Sequence, residues 1–286
     1  MNVAHLIRAF NGIVGREMLR FLQQRERFFA AMVRPLIWLI VFAAGFRAAL
    51  GVNIQPPYET YITYQVYITP GLLAMIQLFN GMQSSLSMVY DREMGSMRVL
   101  LTTPLPRSYL LFCRLFGSVL VSLVQVYAFL LVAYLFGIDL PSTAVQFSEQ
   151  GDVYMLPSLT ALISVLPALV LTGMMFGAMG MLISSTIKQL ENFAGVMNFV
   201  IFPMFFASSA LYPLWKMREG SVVLYYVCLW NPFTYAVELI RFAFYEQVNW
   251  EALAVVGGCT IVFLGLSAWA YDPSRGIQQR KVGAAA

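Results

Sequence analysis

The chain has 286 residues, 59% hydrophobic and 11% charged, with a mean hydropathy of +0.71. A soluble domain carries about 25% charged residues, so this composition speaks against a soluble enzyme and for an integral membrane protein. The net charge of +4 is small, and no basic stripe of the kind that nucleic-acid binders carry is present.

The N-terminal stretch 3–26 predicts an amphipathic helix. Leu6, Phe10, Ile13, Val14, Met18, Phe21 and Leu22 recur at helical spacing on one face, and Arg8, Arg16 and Arg20 fill the other. Such a helix lies in the membrane interface with its arginines toward anionic headgroups. The charges are spread through the pattern, unlike the basic cluster and apolar block of a cleavable signal.

A spanning helix needs about 20 apolar residues, and six segments qualify: 29–50, 64–89, 107–136, 157–184, 190–212 and 251–271. Arg34 and Arg47 fall near the ends of the first, where their side chains can snorkel. Gly173, Gly177 and Gly180 put small residues near one face of the fourth, which means close helix packing or a flexible point. Pro203 falls in the middle of the fifth and predicts a kink.

Segment 213–250 fits neither a loop nor a span. It holds two short apolar runs, 221–230 and 233–245, each too short to cross. Asn231 and Pro232 between them form a helix start, with Asn as N-cap and Pro at the first helical position. The expectation is a re-entrant or interfacial hairpin of helices. Glu238 and Arg241, three residues apart, share a helix face. They read either as a local ion pair or as a carboxylate polarising an outer cavity.

Placing the N-terminus in the cytoplasm puts fourteen of the 18 Lys and Arg residues inside, as the positive-inside rule requires. Both termini and the polar stretch after Tyr90 then face the cytoplasm. The loops 51–63 and 138–156 and the hairpin lie outside. The whole chain reads as one all-α transmembrane domain, and its last residues, RGIQQRKVGAAA, as a fraying tail.

Catalytic constellations are missing from the sequence. It has one histidine, His5, and no HExxH. The cysteines Cys113, Cys228 and Cys259 sit in apolar runs without a CxxC spacing and read as packing residues. No GxxxxGK[ST] phosphate loop occurs, so the chain is not expected to bind ATP itself. The middles of the spans carry no Asp or Glu, which counts against proton coupling.

The polar stretch 91–103 is different. Asp91 and Glu93 sit where a new helix would begin, favourably for its dipole. Met94, Met97, Leu100 and Leu101 then make an apolar face two turns long, and Thr103-Pro104 ends it. A solvated loop needs no such face. A short helix docking on a partner does, and methionine suits an adaptable contact; the bilayer is the rival partner. Phe202, Met204, Phe205 and Phe206 near the outer end of the fifth span suit an apolar constriction or a lipid-facing surface.

Four motifs in order resemble the permeases of type-2 ABC exporters: the amphipathic helix, DREMGSMRVLLTTPLPRS, SSALYPL and NPFTYAVELIR. The resemblance covers nearly the whole chain and rests on the second and fourth motifs. It implies six spans, a permease dimer, expected to be a homodimer, and two separate ATPase subunits. ATP and magnesium are then expected on the partner ATPase, with no cofactor, metal or catalytic residue on this chain. Glu93, Gly95, Ser96, Leu100, Thr103 and Pro104 fall on the family's coupling motif, beside Asp91, Met94, Met97 and Leu101. Asn231, Pro232, Thr234 and Tyr235 fall on its outer hairpin motif. Phe202, Phe205, Phe206, Tyr212, Asn231, Pro232, Tyr235, Glu238 and Arg241 are the expected outer gate and hairpin residues. The expected setting is the bacterial inner membrane, in contact with lipid, and the expected cargo is a hydrophobic small molecule, lipid or lipid-linked glycan. The alternative is a stand-alone channel or ion-coupled carrier.

Overall fold

The computed structural model describes residues 3–23, 29, 33–41, 56–58, 62–93, 105–141, 145–147, 153–155, 159–187 and 190–270. In chain order the elements are α1 (Val3–Gln23), α2 (33–41), α3 (Tyr64–Glu93), α4 (Arg107–Leu135), β1 (Val145–Phe147), β2 (Val153–Met155), α5 (Leu159–Ser164), α6 (Leu166–Thr186), α7 (Leu190–Phe206), α8 (Leu214–Gly220), α9 (Val222–Trp230), α10 (Pro232–Phe244) and α11 (Trp250–Ala270). Among the described residues, three helical stretches are long and apolar enough to cross a membrane: Ser108–Leu135, Leu159–Thr186 and Trp250–Ala270.

The frame is the contact of α3 with α6. Both helices are stripped to glycine where they meet. A Cβ on Gly180 would come within 2.6 Å of the Gly81 carbonyl oxygen, and one on Gly81 within 2.8 Å of the Phe176 backbone. Close approach through small residues is how apolar helices gain packing contacts in a membrane. Polar side chains then clasp the bundle. Gln77 donates to the Leu169 carbonyl at 2.7 Å and accepts from Thr172 at 2.7 Å. Asn80 of α3 donates to the Ser118 carbonyl of α4 at 2.8 Å. Ser267 of α11 donates to Ala178 of α6 at 3.2 Å.

α1 turns its patterned face to the protein. Phe21 is buried, and Phe10 packs on Phe116 of α4 with ring centres 5.3 Å apart. The Tyr109 hydroxyl donates to the Leu6 carbonyl at 2.8 Å. Leu22, expected on the same face, is instead exposed. α4 ends at Phe136, where Gly137 takes a φ of 67° and Ile138 N–H closes on the Ala133 carbonyl at 3.1 Å. A left-handed glycine past the last turn is a common helix stop.

The structure departs from the sequence expectations at four places. Asp91 and Glu93 belong to the same helix that begins at Tyr64, so α3 runs through them. No proline or glycine follows Gly81 before Glu93 to stop it, so the helix continues past its apolar part. The stretch 157–184 holds two helices, α5 and α6, meeting at Val165, with Pro167 in the first turn of α6. That position needs no backbone N–H from proline. The helix of the fifth span stops at Phe206, although Pro203 lies within it. Tyr212 is therefore on the turn that follows, not on the span. The segment 138–156 carries an antiparallel strand pair, Val145 opposite Met155 and Phe147 opposite Val153.

Candidate functional site

The turn 207–213 is the point where four parts of the chain converge. α3 grips it with two tyrosines. Tyr64 donates to the Leu211 carbonyl at 3.0 Å, and Tyr67 to the Ser209 carbonyl at 2.9 Å. Gly71, a turn further along α3, lets Ala210 touch the helix; a Cβ there would stand 2.6 Å from that of Ala210. The small residues of SSALYPL thus have a packing reason. Ser208 also accepts from the Ala210 N–H at 3.2 Å, which tightens the turn locally.

Asn231 joins the turn to α10. Its Oδ1 accepts from the Phe233 N–H at 3.0 Å, as an N-cap should. Its Nδ2 donates to the carbonyls of Met204 and Ala207 at 2.7 and 2.6 Å. These two carbonyls belong to the last turn of α7 and its exit, where no intrahelical partner remains. Phe233 then inserts between α6 and α7, its ring 5.5 Å from Phe176 and 6.1 Å from Phe205.

Arg241 completes the convergence. Its side chain is 2% exposed and forms an ion pair with Glu238. Its Nη2 donates to the Ser209 carbonyl at 2.9 Å, and its guanidinium lies 4.2 Å from the centre of the Tyr67 ring. Aromatic faces attract cations, most strongly where water is scarce. Tyr58 and Tyr245 meet edge-to-face beside it at 5.3 Å. Burial pushes the Tyr58 hydroxyl well above its ordinary pKa, partly opposed by Arg241. Glu238 is partly exposed, because it also faces a cleft of about 280 Å³ lined by Tyr67, Trp215, Thr234, Tyr235 and Glu251. The pair is thus a local ion pair whose carboxylate borders a cleft.

The phenylalanines of α7 divide by face. Phe205 is buried against Trp38 of α2, at 6.0 Å. Phe199, Phe202 and Phe206 are exposed. Beside them, Val33, Ile37, Ile40 and Val41 of α2 are exposed as well. Trp38 also meets Phe206 at 5.6 Å, so α2 and α7 lie side by side with apolar residues exposed on each.

Arg34 corrects an expectation. It is one turn from Trp38 on α2, and its guanidinium lies 4.0 Å from the centre of the Phe79 ring. Phe79 is at the middle of α3, fourteen residues before Glu93. The guanidinium is thus held on a ring at the middle of the described α3.

Of the expected coupling residues, Asp91 and Glu93 are placed at the end of α3. Met94, Gly95, Ser96, Met97, Leu100, Leu101, Thr103 and Pro104 lie outside the described residues. Sequence reasoning gave no partner to Tyr64, Tyr67 or Ser209, and it did not foresee the Arg34–Phe79 contact or the Gln77–Thr172 clasp. The signal for the last two was present, since polar and charged residues in an apolar span rarely lack a partner or a task.

A helical chain of this composition, with apolar helices of membrane-crossing length, is an integral membrane protein. The ABC-2 type transporter family model matches residues 8–245, and the chain belongs to that family. It is 30% identical over 234 residues to the protein named "Putative transport permease ycf38" of Cyanophora paradoxa, covering 80% of this chain and 72% of that one. To the protein of the same name in Porphyra purpurea it is 26% identical over 247 residues, covering 86% and 77%. The chain is thus a membrane permease of the ABC transporter class, a family that works with an ABC ATPase partner.

Proposed function

We propose that this chain is the membrane subunit of an ATP-driven exporter. Two copies pair across the membrane with both termini in the cytoplasm, and two separate ATPase subunits bind below them. The N-terminal helix α1 lies along the inner membrane surface. Six spans cross the bilayer, and α8–α10 form a re-entrant hairpin on the outer side. ATP and magnesium reside on the partner, whose movements are received through 91–103. The cargo is a hydrophobic small molecule, a lipid or a lipid-linked glycan, and it leaves past the α7 phenylalanines and the hairpin.

The observation that carries this reading is the uncovered face of α2 and α7. Its far side is packed: Phe205 and Trp38 tie it to Phe233 and the core. Its near side leaves Ile37, Phe199, Phe202 and Phe206 exposed. A second copy and a cargo path both suit such a face, because isologous pairing places one patch against itself. The absence of a phosphate loop from the sequence supports an ATP site on another chain.

The test co-expresses the chain with a candidate ABC ATPase from the same genome and reconstitutes the product in lipid vesicles. Co-purification and lipophile-stimulated ATP hydrolysis are expected. Transport of a lipophilic probe by the chain alone, without ATP, would instead establish the channel or carrier alternative.

A further inference from the structure

Arg34 stands on the exposed side of α2 beside α7 and has no counter-ion among the described residues. Among the described residues the ion pairs are Arg16–Glu17 and Glu238–Arg241, and neither reaches it. Phe79, on which it rests, packs against Phe202 at 6.4 Å. Phe202 lies eleven residues past Glu191, about 16 Å along α7 at 1.5 Å per residue. Phe79 lies about 21 Å from Glu93 along α3 by the same measure. The guanidinium therefore stands part-way along both helices.

A ring face satisfies a guanidinium only in part. Phe79 attracts the charge, but the five N–H donors lie in the guanidinium plane, and Arg34 is exposed. A second copy of the chain would not complete it. A two-fold interface brings the same patch to itself, and the described part of this patch offers Arg34, apolar side chains and Asn198. An anion would complete it, since the planar fork of arginine is suited to bidentate contact. Around it the surface is apolar. Ile37 and Val41 continue the Arg34 stripe at helical spacing, and the Phe202 and Phe206 rings stack 6.3 Å apart toward the end of α7.

We propose that Arg34, held on Phe79, receives the anionic head of an amphiphile drawn from the membrane, while Ile37, Phe199, Phe202 and Phe206 take its apolar part. The inference rests on the permease reading and narrows its cargo to lipophiles with an anionic head. A charged head crossing the bilayer loses its water, and a fixed guanidinium part-way across replaces some of what it loses.

The test uses the full-length chain in phosphatidylcholine nanodiscs, without ATPase, and three photoactivatable dodecyl probes with phosphate, maltoside and trimethylammonium heads. The phosphate probe is expected to label 33–41 and 190–206, with an affinity about ten-fold or more above the trimethylammonium probe, the difference made by one charge-assisted contact. Arg34→Gln removes that preference, and Arg34→Lys keeps a reduced part of it because an ammonium carries the charge without the planar fork, both with an unchanged thermal transition. Competition by phosphatidylglycerol in the wild type but not in Arg34→Gln supports the proposal and identifies a membrane lipid as the source. An unchanged preference in Arg34→Gln, labelling elsewhere, or equal competition by inorganic phosphate would overturn it. Loss of preference in Arg34→Lys as well as in Arg34→Gln would overturn it too. Because binding is read without ATPase, failure here leaves the ATP-driven reading standing, and failure of that reading leaves this result intact.

Discussion

Arg241 reaches from α10 into the protein and donates from Nη2 to the Ser209 carbonyl at 2.9 Å, so a buried charge on one helix fixes the turn that ends another. Its counter-ion Glu238 is partly exposed to the cleft, whereas Arg241 is not. The two halves of the pair are therefore not equivalent. Glu238→Gln leaves a guanidinium buried without its carboxylate. Removing one partner of a buried pair costs about 3–5 kcal/mol. Arg241→Met leaves a carboxylate that can hydrate in the cleft, and is expected to cost less. The double variant is expected to be more stable than Glu238→Gln alone. Thermal unfolding in detergent checks this, and additive losses in the double variant would refute the coupling.

Asn231 does two things that one substitution can separate. Asn231→Asp keeps the cap on Phe233 but has no Nδ2 to give to the Met204 and Ala207 carbonyls, and it places a negative charge against them. Asn231→Ser keeps a cap acceptor and introduces no charge. The expected order of stability is Asn, then Ser, then Asp, with the Asp variant lower than wild type by about 2 kcal/mol. Thermal unfolding of the three proteins gives the order. Equal stability of the Asp variant and wild type would show that the cap alone matters.

The glycines of α3 and α6 offer a packing test. Gly81→Ala sets a methyl group 2.8 Å from the Phe176 backbone, and Gly180→Ala sets one 2.6 Å from the Gly81 carbonyl. Neither neighbour is the end of a flexible side chain, so the helices must move apart. Overpacking of this kind costs about 1–3 kcal/mol. Gly257→Ala in α11 meets nothing within 4 Å and is expected to leave the transition unchanged or slightly higher. The comparison of melting temperatures decides it.

Much of this was legible because its causes are local. The expected spans 107–136 and 251–271 match Arg107–Leu135 and Trp250–Ala270, since an unbroken apolar run of that length has few alternatives. The Asn231-Pro232 start was legible for the same reason: capping needs only the cap and the first turn. The end of α7 was not. Nothing in FFASSALY forbids helix, and the chain turns there because Tyr64, Tyr67, Asn231 and Arg241, all distant in sequence, bind its carbonyls. Arg34 failed for a related reason. Its position in the sequence put it near a span's end, but where its side chain goes depends on Phe79, which only the packed bundle supplies.

The proposed movement of this chain by a separate ATPase acts through 91–103. It is tested most directly by the lipophile-stimulated ATP hydrolysis of the reconstituted permease–ATPase complex carrying Gly95→Trp or Leu100→Glu. Both variants are predicted to keep the thermal transition of the permease and to lose the stimulation. Full stimulation in both would contradict the claim.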